Sequence, residues 1–234
     1  MRKLFGLLLL LLMVTSCEEE ANMIIHTPQR IYLYQGEQMQ IEAESSLKIQ
    51  YSSLNDYYAS VDENGLVTAR YVGDTQMRLS TSAGSEFIQV SVIPRYSLYV
   101  EPYYEFPSTR YAVEKMYGEP YQDEDNCLVY KTVDVEASKF FYFCFDENDN
   151  LLASVASITD GNEEELAKFL AERYLTVSQE NWTYRNTLEV TDETVEIRSF
   201  YSDKYGSRVV VYAPYGTDFD TFKTFAEPLK YCKK

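Results

Sequence analysis

Histidine and tryptophan each occur once in this chain of 234 residues, and basic side chains are outnumbered by acidic ones, 21 to 37. The single histidine, His26, leaves no His/Cys cluster, and the four cysteines include no C-x-x-C pair, which argues against a zinc site. No glycine-rich phosphate loop is present. The formal charge of −16 disfavours nucleic acid and anionic membrane surfaces as partners. Long apolar runs are scarce too. One stands at the start, Leu7 to Val14, behind Arg2 and Lys3.

That start is the pattern of a secretory signal, a basic end followed by an apolar run too short to span a bilayer comfortably. Val14-Thr15-Ser16-Cys17 resembles the lipobox of bacterial lipoproteins. The resemblance implies removal of residues 1–16 and acylation (palmitate-type) of the Cys17 thiol. The expected anchorage is the membrane, through this N-terminal lipid. Without Arg2 and Lys3 the mature chain stands at −18. Residues 17–23 read as an acidic tether, with Glu18-Glu19-Glu20 in it. That triplet is similar to the export signal of surface-displayed lipoproteins in some Gram-negative bacteria, and equally reads as a solvated linker. The expected location is the outer membrane, facing the cell surface or else the periplasm.

Residues 24–95 read as short strands separated by turns, the mark of a small β-sandwich. Asp62-Glu63-Asn64-Gly65 is a turn with glycine where a positive φ is needed. Thr75, Met77 and Leu79 alternate with Gln76, Arg78 and Ser80, and Pro94 stops the run from Phe87 to Ile93. Tyr51-Ser52-Ser53, Ala59-Ser60-Val61-Asp62-Glu63-Asn64-Gly65-Leu66-Val67-Thr68-Ala69, Gly73-Asp74-Thr75 and Val90-Ser91-Val92 together resemble the group 2 bacterial immunoglobulin-like domains. The resemblance implies an all-β Ig-like sandwich, usually a module of surface, adhesin-like or glycan-associated proteins. The fold alone fixes no function.

After an extended, proline-bounded connector, residues 103–234 read as an α+β domain built of helix plus antiparallel three-strand units, with signs of duplication. Ser108 is placed to cap a helix whose face is Tyr111, Val113, Met116 and Tyr117, and Gly118 and Pro120 end it. Strands follow at Cys127 to Val133, Ser138 to Phe145 and Leu151 to Ile158. Phe141, Phe143 and Phe145 share one face. The order then recurs. Leu166, Phe169, Leu170 and Tyr174 stripe a helix. Trp182 to Val190, Thr194 to Ser202 and Arg208 to Ala213 are its strands. A last helix over Thr217 to Leu229 carries Phe219, Phe222 and Phe225. Tyr117-Gly118-Glu119-Pro120, Phe143-Cys144-Phe145-Asp146 and Leu151 to Val155 resemble the small outer-membrane-assembly lipoproteins. The repeated unit is similar to secreted β-lactamase-inhibitor proteins. These likenesses imply a fold rather than an activity.

No constellation demands catalysis. His26 sits beside the anchor with no nucleophile in view, so the expectation is a non-enzyme with no cofactor and no metal. The Asp146-Glu147-Asn148-Asp149-Asn150 turn lacks the spacing of a calcium loop and reads as a hairpin turn. Cys127 and Cys144 fall nearly opposite one another on two strands and form a candidate disulfide, the alternative being two half-buried thiols. Cys232 has no evident partner. Tyrosine is the abundant aromatic, 22 residues. Its apolar face and polar tip suit a protein or glycan ligand, and its strand propensity is the competing reason for its presence. Tyr99, Tyr103, Tyr104, Tyr201 and Tyr205 are the candidate binding surface. The functional expectation is a lipid-anchored envelope protein with an adhesion or recognition role, the sandwich being a spacer for the α+β domain. The alternative is a periplasmic assembly or inhibitor-type lipoprotein.

Overall fold

The computed structural model describes residues 23–132, 138–159, 161–203 and 206–232. Cys17 and Tyr205 lie outside the described residues, as do the expected signal, residues 1–16, and residues 17–22 of the expected tether.

The first nine strands build the sandwich: β1 (Ile24–Ile25), β2 (Arg30–Tyr34), β3 (Gln38–Gln40), β4 (Ala43–Glu44), β5 (Gln50–Ser53), β6 (Ala59–Val61), β7 (Leu66–Ala69), β8 (Gly73–Ser80) and β9 (Ser85–Ile93). One sheet runs β2-β9-β8-β5 and the other β3-β7-β6, with β1 and β4 paired at the side. β2 lies parallel to β9, and the other pairs are antiparallel. The alternation read in β8 holds: Thr75, Met77 and Leu79 are buried while Gln76 and Arg78 are exposed. Met77, Leu79 and Ile88 share a core with Val67 and Ile41, with no exposed surface or almost none. Each such side chain contributes roughly 1.5–3 kcal/mol. The Asp62 turn forms as expected. Its carboxylate accepts from the Asn64 and Leu66 amides at 2.9 Å, and Gly65 has φ of +84°.

The second body repeats one unit twice. The first copy is α1 (Arg110–Tyr117), β10 (Gln122–Glu124), β11 (Cys127–Lys131), β12 (Ser138–Phe145) and β13 (Leu151–Ile158). The second is α2 (Glu163–Arg173), β14 (Leu175–Ser178), β15 (Thr183–Arg185), β16 (Val195–Ser202) and β17 (Ser207–Pro214). Each copy thus has four strands rather than three. They join into one eight-stranded antiparallel sheet, β10-β11-β12-β13-β17-β16-β15-β14, with the last strand of each copy at the centre. The strand order is therefore symmetric about the β13–β17 seam. The chain ends in α3 (Phe219–Phe225) and α4 (Pro228–Tyr231).

Helices cover both faces of this sheet, which is why its central strands β13 and β17 carry no fully exposed residue. On one face Val113 of α1 and Leu166, Phe169 and Leu170 of α2 pack on Phe141, Phe143, Phe145, Val210 and Tyr212. On the other, Phe222 and Phe225 of α3 pack on Val129, Tyr142, Val155, Val209 and Val211. Phe141, Phe143 and Phe145 of β12 share a face, as their spacing requires, while Phe140 packs against the core on the other side. The first helix differs from its expected face: Tyr111 and Met116 are exposed, and its cap is Thr109 rather than Ser108. Asp218 caps α3, and Pro228 starts a new turn after Glu227, so the expected last helix is divided in two. Leu98 and Tyr99 already belong to the second core, so the connector is packed before residue 103.

Candidate functional site

The tyrosines converge where the two bodies meet. The meeting point is the C-terminal end of α2, whose last carbonyls have no partner within the helix. Three donors from the sandwich supply one each. Gln35 Nε2 donates to the Ala171 carbonyl at 3.0 Å, the Val72 amide to that of Glu172 at 2.9 Å, and the Tyr57 hydroxyl to that of Arg173 at 2.8 Å. Tyr57 also reaches the Arg185 carbonyl at 3.2 Å. Its ring stacks on Tyr71 at 4.6 Å and meets Tyr58 edge-on at 5.4 Å. Gly73, with φ of +145°, admits the Tyr58 ring so closely that a Cβ there would overlap it.

The connector closes the junction from the side. Glu172 is only 3% exposed, and its carboxylate accepts from the Arg95 amide at 2.9 Å, the Tyr96 amide at 3.0 Å and Arg173 Nη1 at 2.5 Å. A charge so enclosed is tolerated because three donors meet it. Arg173 in turn donates to the Tyr96 and Phe169 carbonyls and pairs with Glu101 at 3.5 Å.

Behind Arg173 lies a buried ring of phenols. Tyr99 and Tyr212 share a hydroxyl contact of 2.5 Å, Tyr174 donates to the Glu101 carboxylate, and Tyr104 stacks on Tyr212 at 5.0 Å. Burial pushes Tyr57, Tyr99, Tyr104, Tyr174 and Tyr212 well above the ordinary phenol value, and neighbouring Glu101 pushes the last four further. Burial also raises Glu101, against the opposing effects of Tyr174 and Arg173. The phenols therefore remain protonated at neutral pH and act as hydrogen-bonding core groups.

This arrangement corrects the expected tyrosine surface. Tyr99 is 6% exposed and belongs to the core. Tyr103 and Tyr104 pack against that core, and the Tyr103 hydroxyl contacts the Ser108 hydroxyl at 2.9 Å. Tyr201 is the exposed member, on the sheet face away from Phe200. Sequence reasoning missed Tyr57, Tyr174, Glu172 and Arg173 as one cluster. The available signal was the excess of tyrosine; the partners are remote in the chain.

The cysteine expectation is corrected as well. Cys127 does face Cys144 across β11 and β12, but it bonds to Cys232 of the C-terminal segment, with Cα atoms 5.2 Å apart. Cys144 is a buried free thiol, raised strongly by burial. The Asn126 side chain donates to the Tyr231 carbonyl at 2.7 Å and the Tyr231 hydroxyl to that of Phe145 at 2.8 Å. These bonds bring α4 to the end of β11 and so bring Cys232 there too.

The remaining candidates are occupied locally. His26 is half exposed and lies 3.4 Å from Glu44. Asp146 accepts from the Asn150 side chain at 2.9 Å and from the Asn148 and Asn150 amides at 2.8 Å, closing its own turn. The Asn150 side chain, together with those amides, holds its carboxyl below the usual range. Arg110 takes Asp149 at 2.9 Å. Among the described residues no group of three or more His, Cys, Asp or Glu side chains is arranged to hold a metal, and no helix is long and apolar enough to cross a membrane. A depression of about 270 Å³ beside α3 and α4 is lined by Lys223, Thr224, Glu227, Lys230 and Tyr231.

The chain matches no protein-family model and no curated protein. Among solved structures it is similar to a mutant of intimin from EHEC O157:H7, at 15% identity over 50% of this chain and 75% of that one, with a TM-score of 0.24. It is also similar to surface layer protein SbsC, domains 1–6, at 11% identity over 82% of this chain and 22% of that one, with a TM-score of 0.25. A third likeness is the C-terminal domain of TagH, at 10% identity over 72% and 98%, with a TM-score of 0.24. Superpositions this loose carry no functional inference.

Proposed function

We propose that this is a lipid-anchored envelope protein in a recognition or adhesion role, in which the Ig-like sandwich is a stalk fused rigidly to an α+β body. The observation that supports the fixed geometry is the capping of α2 by Gln35, Val72 and Tyr57. A spacer on a loose linker would leave those carbonyls to water. Here the stalk completes a helix of the body it carries. The junction thus sets the angle at which the α+β body stands above an anchored N-terminus. The reading is of a non-enzyme. In it the phenols and the Glu172 carboxylate of the junction serve as hydrogen-bonding groups that hold the two bodies together.

A second reading, a periplasmic assembly or inhibitor-type lipoprotein, is favoured by the symmetric eight-stranded sheet built of two copies of one unit. Protease shaving of intact cells, with membrane fractionation of Cys17→Ser, tests both. Membrane association lost in the variant and digestion from outside support the surface reading. Protection from added protease favours the periplasmic one. A Cys17→Ser protein that still fractionates with lipid overturns the anchor.

A further inference from the structure

The sandwich presents one outer face whose character differs from the rest of this acidic molecule. In β2, β8 and β9 the core takes Ile31, Leu33, Met77, Leu79, Ile88 and Val90, so the alternate residues stand on the opposite face. Register places them in rows. Arg30 pairs with Gln89, and Gln89 with Gln76; Arg78 pairs with Phe87 in the next row, and Tyr32 with Ser91 on the other side.

Three features of this face point to a ligand. Tyr32 and Phe87 are large and exposed, at 59% and 44%, although each stands in a regular strand. They are four residues apart by register, roughly 13 Å along the strands. Between them Gln76 donates to Gln89 at 3.2 Å, which orients both amides and leaves an acceptor on one and a donor on the other. Finally, Arg30 and Arg78 are exposed and form no ion pair among the described residues. Arg78 is held in place by Ser85 at 2.9 and 3.1 Å. Asp74, a carboxylate on the same face, is taken by the Ser91 hydroxyl at 2.5 Å.

Two guanidinium groups without an ion pair, against the single carboxylate of Asp74, leave this strip cationic by one formal charge on a chain of formal charge −16. A flat strip that offers aromatic rings, amide donors and acceptors, and guanidinium forks matches a polymer with C–H faces, hydroxyls and acid groups. We propose that this face binds an acidic polysaccharide, its carboxylates or sulfates meeting Arg30 and Arg78 and its sugar rings lying on Tyr32 and Phe87. The inference goes beyond the stalk role given to the sandwich above.

The test is affinity electrophoresis of the full chain as Cys17→Ser, in gels containing polygalacturonate, dextran sulfate or neutral dextran. Retardation by either acidic polymer and not by dextran is expected, and the two acidic arms separate carboxylate from sulfate recognition. Arg30→Glu with Arg78→Glu should weaken retention about tenfold or more, and added salt should weaken it further. Tyr32→Ala with Phe87→Ala should weaken it at an unchanged melting temperature, since these side chains face outward. No retardation by either acidic polymer, equal retardation by dextran, or retention unchanged in both double variants overturns the proposal. A salt-sensitive dimer abolished by the arginine variants would place a second copy on this face and also overturn it. Cys17→Ser that still fractionates with lipid while polymer retention is intact would sink the anchor alone.

Discussion

The Tyr57 hydroxyl of the sandwich donates to the Arg173 carbonyl at the end of α2, at 2.8 Å and across 116 residues of sequence. The ring that carries it is 7% exposed and stacked on Tyr71. Tyr57→Phe should lower stability by about 1 kcal/mol, the loss of a buried hydrogen bond. Tyr57→Ala should remove about 3–5 kcal/mol and split one unfolding transition into two. Denaturant unfolding followed by Trp182 fluorescence and by far-UV circular dichroism checks both.

Glu172→Ala leaves the Arg95 and Tyr96 amides and Arg173 without their shared acceptor. The expected destabilisation is about 3 kcal/mol. Glu172→Gln should be milder, because the amide oxygen still accepts from one of the backbone donors. The comparison of their denaturant midpoints checks the role of the charge.

Gly73→Ala should destabilise by about 1–3 kcal/mol, combining the unfavourable backbone with the contact on Tyr58. Gly84→Ala, where nothing lies within 4 Å, provides the control and should be near neutral. Hydrogen exchange should show the Gly73 variant loosening Val72 and the end of α2 together.

The phenol cluster makes alkaline pH the sensitive direction. In the folded state Tyr57, Tyr99, Tyr174 and Tyr212 bind their protons more tightly than at the unfolded value of 10.0, and burial pushes Tyr130 up to about 12. The unfolded chain releases protons first, so their contribution to stability is complete below pH 10 and falls as pH rises through the folded values. Tyrosinate absorbance from these residues should appear together with unfolding, above pH 10.

Reduction, or Cys232→Ser, opens a closure of 105 residues and should lower stability by about 2–5 kcal/mol. Cys144→Ser should leave non-reducing mobility unchanged. Native alkylation should spare Cys144 until the protein unfolds, given its burial.

Much of this fold was legible from local chemistry. The Asp62–Gly65 turn, the alternation of β8, the shared face of Phe141, Phe143 and Phe145, and the recurrence of a helix followed by strands all follow from spacing. β10 and β14 escaped because Gln122–Glu124 has no apolar residue and Leu175–Ser178 is too short to show alternation. The opposition of Cys127 and Cys144 was readable, yet the bond goes to Cys232, because α4 is placed by contacts that sequence spacing does not encode. Tyrosine was the least legible residue. Its ring and hydroxyl suit a buried junction as well as a binding surface, and which one a given Tyr joins depends on remote partners such as Tyr212 for Tyr99.

Backbone ¹⁵N relaxation on the full chain as Cys17→Ser reads the junction directly. A single rotational correlation time shared by β8 and β16, which separates into two in Tyr57→Ala, is the predicted result. Two correlation times in the unsubstituted junction would contradict the claim that the sandwich and the α+β body move as one.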